Sequence, residues 1–450
     1  MSKYREKDMD MVHGPLFRNM IVYSIPLVLS GFLQLLFNAA DMAVVGKFTG
    51  SHALAAVSAA SPFSSLIVTL FLGLSTGVNV LLAQALGSEN HELFHKGLHT
   101  AIASSLVIGL LLMGAGLFFS APVMKLIHTP KTVLSLSLVY LRIYMLGIPA
   151  MMLYNFGSAV LRACGDTRRP FQYMAIAGIL NVCLNLFFVI CFHLGTAGVA
   201  IATVISESVS AFLVLHTLTD TDQIWHLKRK DLKIDPVVLK QILWIGIPAG
   251  LQGAAFSIAN LLIQSAINSF GPVVMAASAI VMNADSFCYV GVDAIGQTSL
   301  TFISQNYGAG NMKRIQKIFR FTMIIGVSLE ISLGLLCYFA YRPFMSLFTS
   351  SENVIRYGRE IMFPICVFGF VNATMNVPFH AVRGMGHSVF PMLCTIICVC
   401  FLRILWVYMV FPHIPTIGGL YAAWPVTKGI ASFVAIIYYF HVIHTMTGKL

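Results

Sequence analysis

Charge is what this chain of 450 residues has least of, with Asp, Glu, Lys and Arg together at 10%; soluble domains average about 25%. That scarcity, with 58% hydrophobic residues and a mean hydropathy of +0.83, excludes an ordinary soluble domain. Acid is the scarcer sign, 17 residues against 28 bases. The nine cysteines are an odd number and lie mostly in apolar segments. Cys394, Cys398 and Cys400 share one apolar run without a His or carboxylate at metal spacing, so they read as packing residues. Long polar loops are missing too, which leaves no surface for nucleic acid. No nucleophile with a convergent base stands out, which argues against a membrane-embedded enzyme. A cleavable signal peptide is not expected, because the first residues mix acids with bases and the run that follows is too long.

What is abundant is apolar sequence long enough to cross a hydrocarbon core of about 30 Å. The runs predict twelve helices near 17–46, 54–86, 94–120, 133–162, 171–192, 196–218, 238–270, 273–305, 318–341, 353–383, 389–411 and 417–444. With an even number of spans both termini share a side, and the bases in short loops identify it. That side holds Lys3, Arg5, Lys7, Arg18, Lys96, Arg162, Arg168, Arg169, the bases between 228 and 240, Lys313, Arg314, Lys317, Arg320, Arg383 and Lys449. Only Lys47, Lys125, Lys131, Arg342, Arg356 and Arg359 fall on the other. The termini are therefore expected in the cytoplasm. The net charge of +11 is mostly a topology signal, with anionic membrane lipids as natural partners.

The chain also repeats itself. At an offset of 222, Pro26 pairs with Pro248, Gly31 with Gly253 and Asn38 with Asn260. After a one-residue slip, Gln84 pairs with Gln305, Gly87 with Gly308, Asn155 with Asn376 and Arg162 with Arg383. A six-helix unit is used twice. Because six is even, the repeats run parallel, a transporter plan that places substrate between the halves near the midplane. The expected division is an N-terminal lobe over 1–218, a cytoplasmic linker over 219–237 and a C-terminal lobe over 238–450. Neither Pro26 nor Pro248 needs a hinge role, since neighbouring helices and water can satisfy the freed carbonyls.

Against this apolar background the polar residues stand out. Asp41 lies within "IPLVLSGFLQLLFNAADMAVVG", where a carboxylate costs about 2.5–3.5 kcal/mol and usually marks an ion or substrate path. Its counterpart in the second half is Ile263, so duplication does not account for it. Gln34, Asn38 and Asp41 share one helix face. In the fifth span Asn181 and Asn185 are one turn apart, with carbonyl oxygens that suit a hard cation and amides that suit a protonated acid. The eighth span carries Asp285, Tyr289, Asp293 and Gln297 at every fourth position. The first-half equivalents of the two acids are Ser64 and Leu72. These acids either contact substrate or ion, or pair with a buried base such as Arg142, Arg403 or Lys428. His380 reads as a hydrogen-bonded structural residue, and Glu207, Glu330 and Glu360 are expected near span ends or lobe contacts. The 22 methionines suit a soft, adaptable pocket, although most simply fill spans.

Taken together, "SIPLVLSGFLQLLFNAADMAVVGKF", "GLSTGVNVLLAQALG", "VLRACGDTRRP", "GTAGVAIATVIS" and "TFISQNYGAGN" resemble the multidrug and toxic compound extrusion transporters, and within them the bacterial DinF-like branch. The resemblance covers nearly the whole chain. It implies an all-α integral membrane protein of twelve transmembrane helices, in two parallel six-helix repeats forming a V-shaped two-lobe transporter. It implies multidrug efflux by H⁺ or Na⁺ antiport with alternating access, in a bacterial cytoplasmic membrane. The branch's coupling site falls here on Asp41, Tyr140, Asn181, Asn185 and Thr203. Position 185 is commonly an aspartate in that branch, so this chain departs from it by one carboxylate.

These residues set the mechanistic expectations. Asp41 loads a proton or, with Asn181 and Asn185, holds Na⁺. With a single acid, H⁺ is favoured. No cofactor is expected, nor any metal beyond that Na⁺. Gln34, Asn38, Asn155, Met282, Asp285, Tyr289 and Asp293 are the candidate substrate contacts, suited to amphipathic organic cations through charge pairing and cation–π contact. A monomer is expected. A lipid-linked precursor flippase shares the duplicated plan, but its polyanionic cargo calls for more bases than Arg142, Arg403 and Lys428, and its chains usually carry extra helices. A major-facilitator exporter lacks support, because "GSENHELFHKG" stands where its basic loop belongs.

Overall fold

A computed structural model describes residues 9–127, 129–221 and 223–447. Lys3, Arg5, Lys7 and Lys449, used above to orient the chain, lie outside them.

The apolar runs form helices because a bilayer core offers no water to unpaired backbone groups. In chain order they are α1 (Leu16–Phe48), α2 (His52–Gly87), α3 (His91–Leu126), α4 (Lys131–Leu146 with Ile148–Ala163), α5 (Arg168–Cys191) and α6 (Gly195–Thr219). The second half gives α7 (Pro236–Asn268), α8 (Pro272–Gly308), α9 (Met312–Phe339), α10 (Glu352–Gly384), α11 (Val389–His413) and α12 (Ile417–Thr447). Eleven are single spans among the described residues, and α4 completes the twelve expected from hydropathy.

The fourth span differs from expectation by bending 44° at Gly147. Pro149 supplies no N–H to the turn before it. Gly109 of α3 lets the bend pack closely, since a Cβ there would sit 2.8 Å from the Pro149 Cα. Wide π turns interrupt three other spans, at Phe187–Cys191 in α5, Phe363–Val367 in α10, and Thr395–Phe401 and Trp406–Val410 in α11.

The repeat is written into the backbone as well as the sequence. Left-handed glycines recur 221 positions apart, Gly50 with Gly271 (both φ 87°) and Gly165 (φ 94°) with Gly386 (φ 92°). A third such turn has Gly310 at φ 70° in the second half and Glu89 at φ 55° in the first.

The helices pack into two compact units whose limits differ from a cut in the linker. One unit contains Ile25–Ile247, and the other joins Met11–Ser24 to the chain from Pro248 onward. In the first unit, the linker residues Trp225 and Leu227 are buried in a core with Phe71, Phe94, Leu98 and Phe156. The opening of α7 docks there too, because a Cβ on Gly246 would lie 2.7 Å from the Leu74 Cα. In the second unit, the first turns of α1 are held by hydrogen bonds from Tyr23 Oη to Thr301 Oγ1 (3.0 Å) and from Asn306 Nδ2 to the Met11 carbonyl (3.1 Å). Linker and opening helix thus pack with units that chain order alone does not assign them to. The limits fall at Pro26 in α1 and Pro248 in α7, the first proline pair of the repeat.

Candidate functional site

Close approach of α1 and α5 builds the polar site of the first unit. A Cβ on Gly178 would fall only 1.8 Å from Phe37 Cε2, so glycine there leaves the room that ring occupies against α5. Asp41 follows Phe37 by one helical turn, and Asn181 follows Gly178 by three residues, so the same contact brings their side chains together.

The resulting network is continuous. Asn185 is fully buried, and its Nδ2 donates to Asp41 Oδ1 at 2.5 Å and to Asn181 Oδ1 at 3.0 Å. Asn181 Nδ2 donates to Thr203 Oγ1 at 3.3 Å, and Thr203 donates to the Val199 carbonyl. Tyr140 packs beside Val44, Val45 and Val199 and stacks on Tyr144 with ring centroids 6.1 Å apart. The structure therefore assembles Asp41, Tyr140, Asn181, Asn185 and Thr203 from four helices. Asn185 Oδ1 is buried without a hydrogen-bond partner. Gln34 and Asn38 continue the Asp41 face of α1 and are exposed. Asn155 stands apart, donating to the Met151 carbonyl of its own helix at 2.8 Å.

Glu207, expected near a span end or a lobe contact, belongs to the same unit. It lies midway along α6, one turn beyond Thr203 on the same face, and accepts a hydrogen bond from Ser210. The i, i+4 spacing of Thr203 and Glu207 was a legible signal for it.

In the second unit the position of Asp41 is taken by Ile263, 1% exposed within an apolar cluster. The acidic stripe of α8 divides into two networks. Asp285 lines a small recess with Gly369, Asn372, Trp424 and Lys428. Lys428 Nζ donates to Asn372 Oδ1, whose Nδ2 donates to Glu330 Oε1 at 3.2 Å. Glu330 is 1% exposed within α9, away from both ends of that helix. One turn along the stripe, Tyr289 is 40% exposed and accepts from Asn376 Nδ2 at 3.2 Å. His380 Nε2 lies 3.9 Å from Asp293 Oδ1. Met282 packs against the core of the unit.

Two buried guanidinium groups accompany these acids. Arg383, counted with the cytoplasmic bases at the end of its span, is 6% exposed in the last turn of α10 and donates to Gln252 of α7. Arg403 is 1% exposed and donates from Nη1 to Asn260 Oδ1 at 3.1 Å. Its guanidinium lies 4.6 Å from the Trp424 ring, while Nε and Nη2 have no hydrogen-bond partner. Arg142, by contrast, is exposed and reaches Ser120 at 3.4 Å. First and fifth helices of each unit are thus bridged by polar side chains, acid to amide in one and amide to guanidinium in the other.

A family model described as MatE matches residues 26–187 and 248–409, two stretches displaced by 222 positions. The probable multidrug resistance protein YoeA of Bacillus subtilis is 27% identical over 406 residues, 85% of this chain and 84% of that protein. A protein of Shewanella oneidensis named FAD transporter is 26% identical over 440 residues, covering 94% and 95%. A solved structure described as the outward-facing conformation of a multidrug resistance MATE family transporter superposes with a TM-score of 0.92. It is 21% identical and covers 98% of this chain and 99% of that one, a likeness of fold.

Proposed function

The chain belongs to the MatE family of multi-pass membrane transporters, and we propose that it exports small amphipathic organic compounds, cations foremost, in exchange for protons taken up at Asp41. The names of several relatives, among them YoeA, support multidrug efflux as the activity. The observation that carries the coupling assignment is the Asn185–Asp41 hydrogen bond within a network reaching Asn181 and Thr203.

Burial favours the uncharged form of any carboxylate, while donated hydrogen bonds favour the charged one. Asp41 has both influences, so a change in packing around α1 shifts the balance between them. A proton arriving from outside removes the charge that Asn185 Nδ2 addresses and loosens α1 from α5. Release of the proton to the cytoplasm restores the bond. Coupling requires that the proton bind one arrangement of the helices better than the other. Glu207 supplies a second carboxylate in the same unit, where position 185 carries an amide. Within the second unit, Tyr289 and Asp293 on α8 offer the aromatic and charged contacts an organic cation needs. The membrane is the bacterial cytoplasmic one, with both termini inside.

Sodium is the alternative ion, favoured by the unpartnered Asn185 Oδ1, a hard oxygen beside Asp41. An anionic or zwitterionic cargo is favoured by a separate observation, the buried Arg403 with two unpartnered nitrogens over the Trp424 ring. The relative named FAD transporter is consistent with such a cargo.

Purified protein in liposomes, given a proton or a sodium gradient separately, tests the assignment. Gradient-driven ethidium movement under the proton gradient alone is expected. Equal movement without any gradient, or chemical conversion of the dye, overturns it.

A further inference from the structure

We propose that His95, His99 and Asp231 form a binding site for a divalent transition-metal ion of the zinc class, which fastens the linker between the two halves to α3. Among the described residues this is a group whose donor atoms all lie within 4.8 Å of one another.

His95 and His99 are one turn apart near the start of α3, so they share a face, with ring centroids 4.1 Å apart. Asp231 follows them by over a hundred positions and arrives on a short 3₁₀ turn, Arg229–Asp231, of the linker. His95 Nε2 and Asp231 Oδ2 are 3.4 Å apart. Two ligands about 2.0–2.1 Å from a tetrahedral zinc ion stand about 3.3 Å from each other, so this pair already spans one edge.

The third ligand has its tautomer fixed. His99 Nδ1 donates to the His95 carbonyl at 2.7 Å, leaving the Nε2 lone pair available. Metal-bound imidazoles are commonly oriented by such a bond from the other ring nitrogen. In the metal-free protein that lone pair accepts the Lys228 N–H at 3.1 Å. An ion takes that lone pair, leaves the exposed Lys228 N–H to solvent and ties His99 to the same linker through Asp231. His95 and Asp231 are 42% and 44% exposed, so an ion can enter and keep water in its fourth position.

The surroundings select the class of ion. Lys96, Lys228, Arg229, Lys230 and Lys233 stand nearby in sequence, and the site has one carboxylate. Magnesium and calcium prefer several oxygens, whereas two imidazoles suit zinc, nickel or copper. The linker is already strapped to α3 beside the site. Thr100 Oγ1 accepts the Asp235 N–H at 3.1 Å, and Trp225 is buried. Ligation therefore needs only a small closing movement of the turn that carries Asp231.

The test is zinc titration of the full-length protein carrying no polyhistidine tag, followed by calorimetry and by the rate of tryptic cleavage after Lys230. Saturable binding of zinc and slower cleavage are expected for the wild type. In His95→Ala and in Asp231→Asn the affinity is expected to fall at least about tenfold, with the metal-free melting temperature and proton-driven efflux unchanged. Absence of saturable binding by the wild type overturns the site, as does binding by both variants at wild-type affinity. Equal protection by magnesium overturns the assignment to the zinc class.

Discussion

Asn185 of α5 donates one amide hydrogen to Asp41 of α1 and the other to Asn181 Oδ1, so a single buried amide ties the acid to the rest of the first unit. Asp41→Asn preserves the shape of that contact and removes its charge. Gradient-driven efflux is expected to fall to the level of empty liposomes, with a stability change of about 1 kcal/mol, the ordinary net worth of one hydrogen bond. Efflux and thermal unfolding of the purified variant check both halves of this statement.

Gly178 is the structural condition for the site. An alanine there places a methyl inside the Phe37 ring's space. Helix association in lipid depends on close van der Waals packing, not on burial from water. Gly178→Ala is expected to cost about 1–3 kcal/mol and most of the transport activity. Phe37→Ala in the same chain should restore much of both, and a melting series on the two single variants and the double variant measures the rescue.

Much of the fold was legible because twelve apolar runs and a repeat at 221–222 residues are both strong signals. The bend at Gly147 was not, since a glycine and a proline inside an apolar run leave its hydropathy unchanged. The apolar Ile263 opposite Asp41 was readable from the repeat, and so were Asn181 and Asn185 from their spacing. Thr203 and Tyr140 rested on resemblance alone. The surroundings of Glu207, Glu330 and Arg383 were not legible, because a single charged residue does not reveal what it packs against. Their partners, Ser210, Asn372 and Gln252, are found only once the helices are packed.

Glu207 is expected to modify coupling without carrying it alone. Glu207→Gln should lower the efflux rate severalfold and shift its dependence on external pH, whereas Asp41→Asn removes proton-driven efflux altogether. Rates measured across a series of imposed proton gradients separate the two effects.

Arg403 separates cargo recognition from structure. Replacing a buried, incompletely paired charge with an apolar residue of similar volume is often neutral or stabilising by about 1–4 kcal/mol. Arg403→Met is therefore expected to melt no lower than the wild type. If the guanidinium receives an anionic group, the variant loses transport of FAD or other carboxylate- or phosphate-bearing aromatics while ethidium export persists. Uptake of both cargoes into inverted vesicles reads the difference.

The central claim is that Asp41 exchanges a proton for the drug, and proton release on drug binding tests it most directly. Weakly buffered, sodium-free protein titrated with an organic cation is expected to release about one proton per bound molecule, by the linkage between the two sites. Asp41→Asn should bind the same cation and release none. Undiminished proton release from Asp41→Asn would contradict the account.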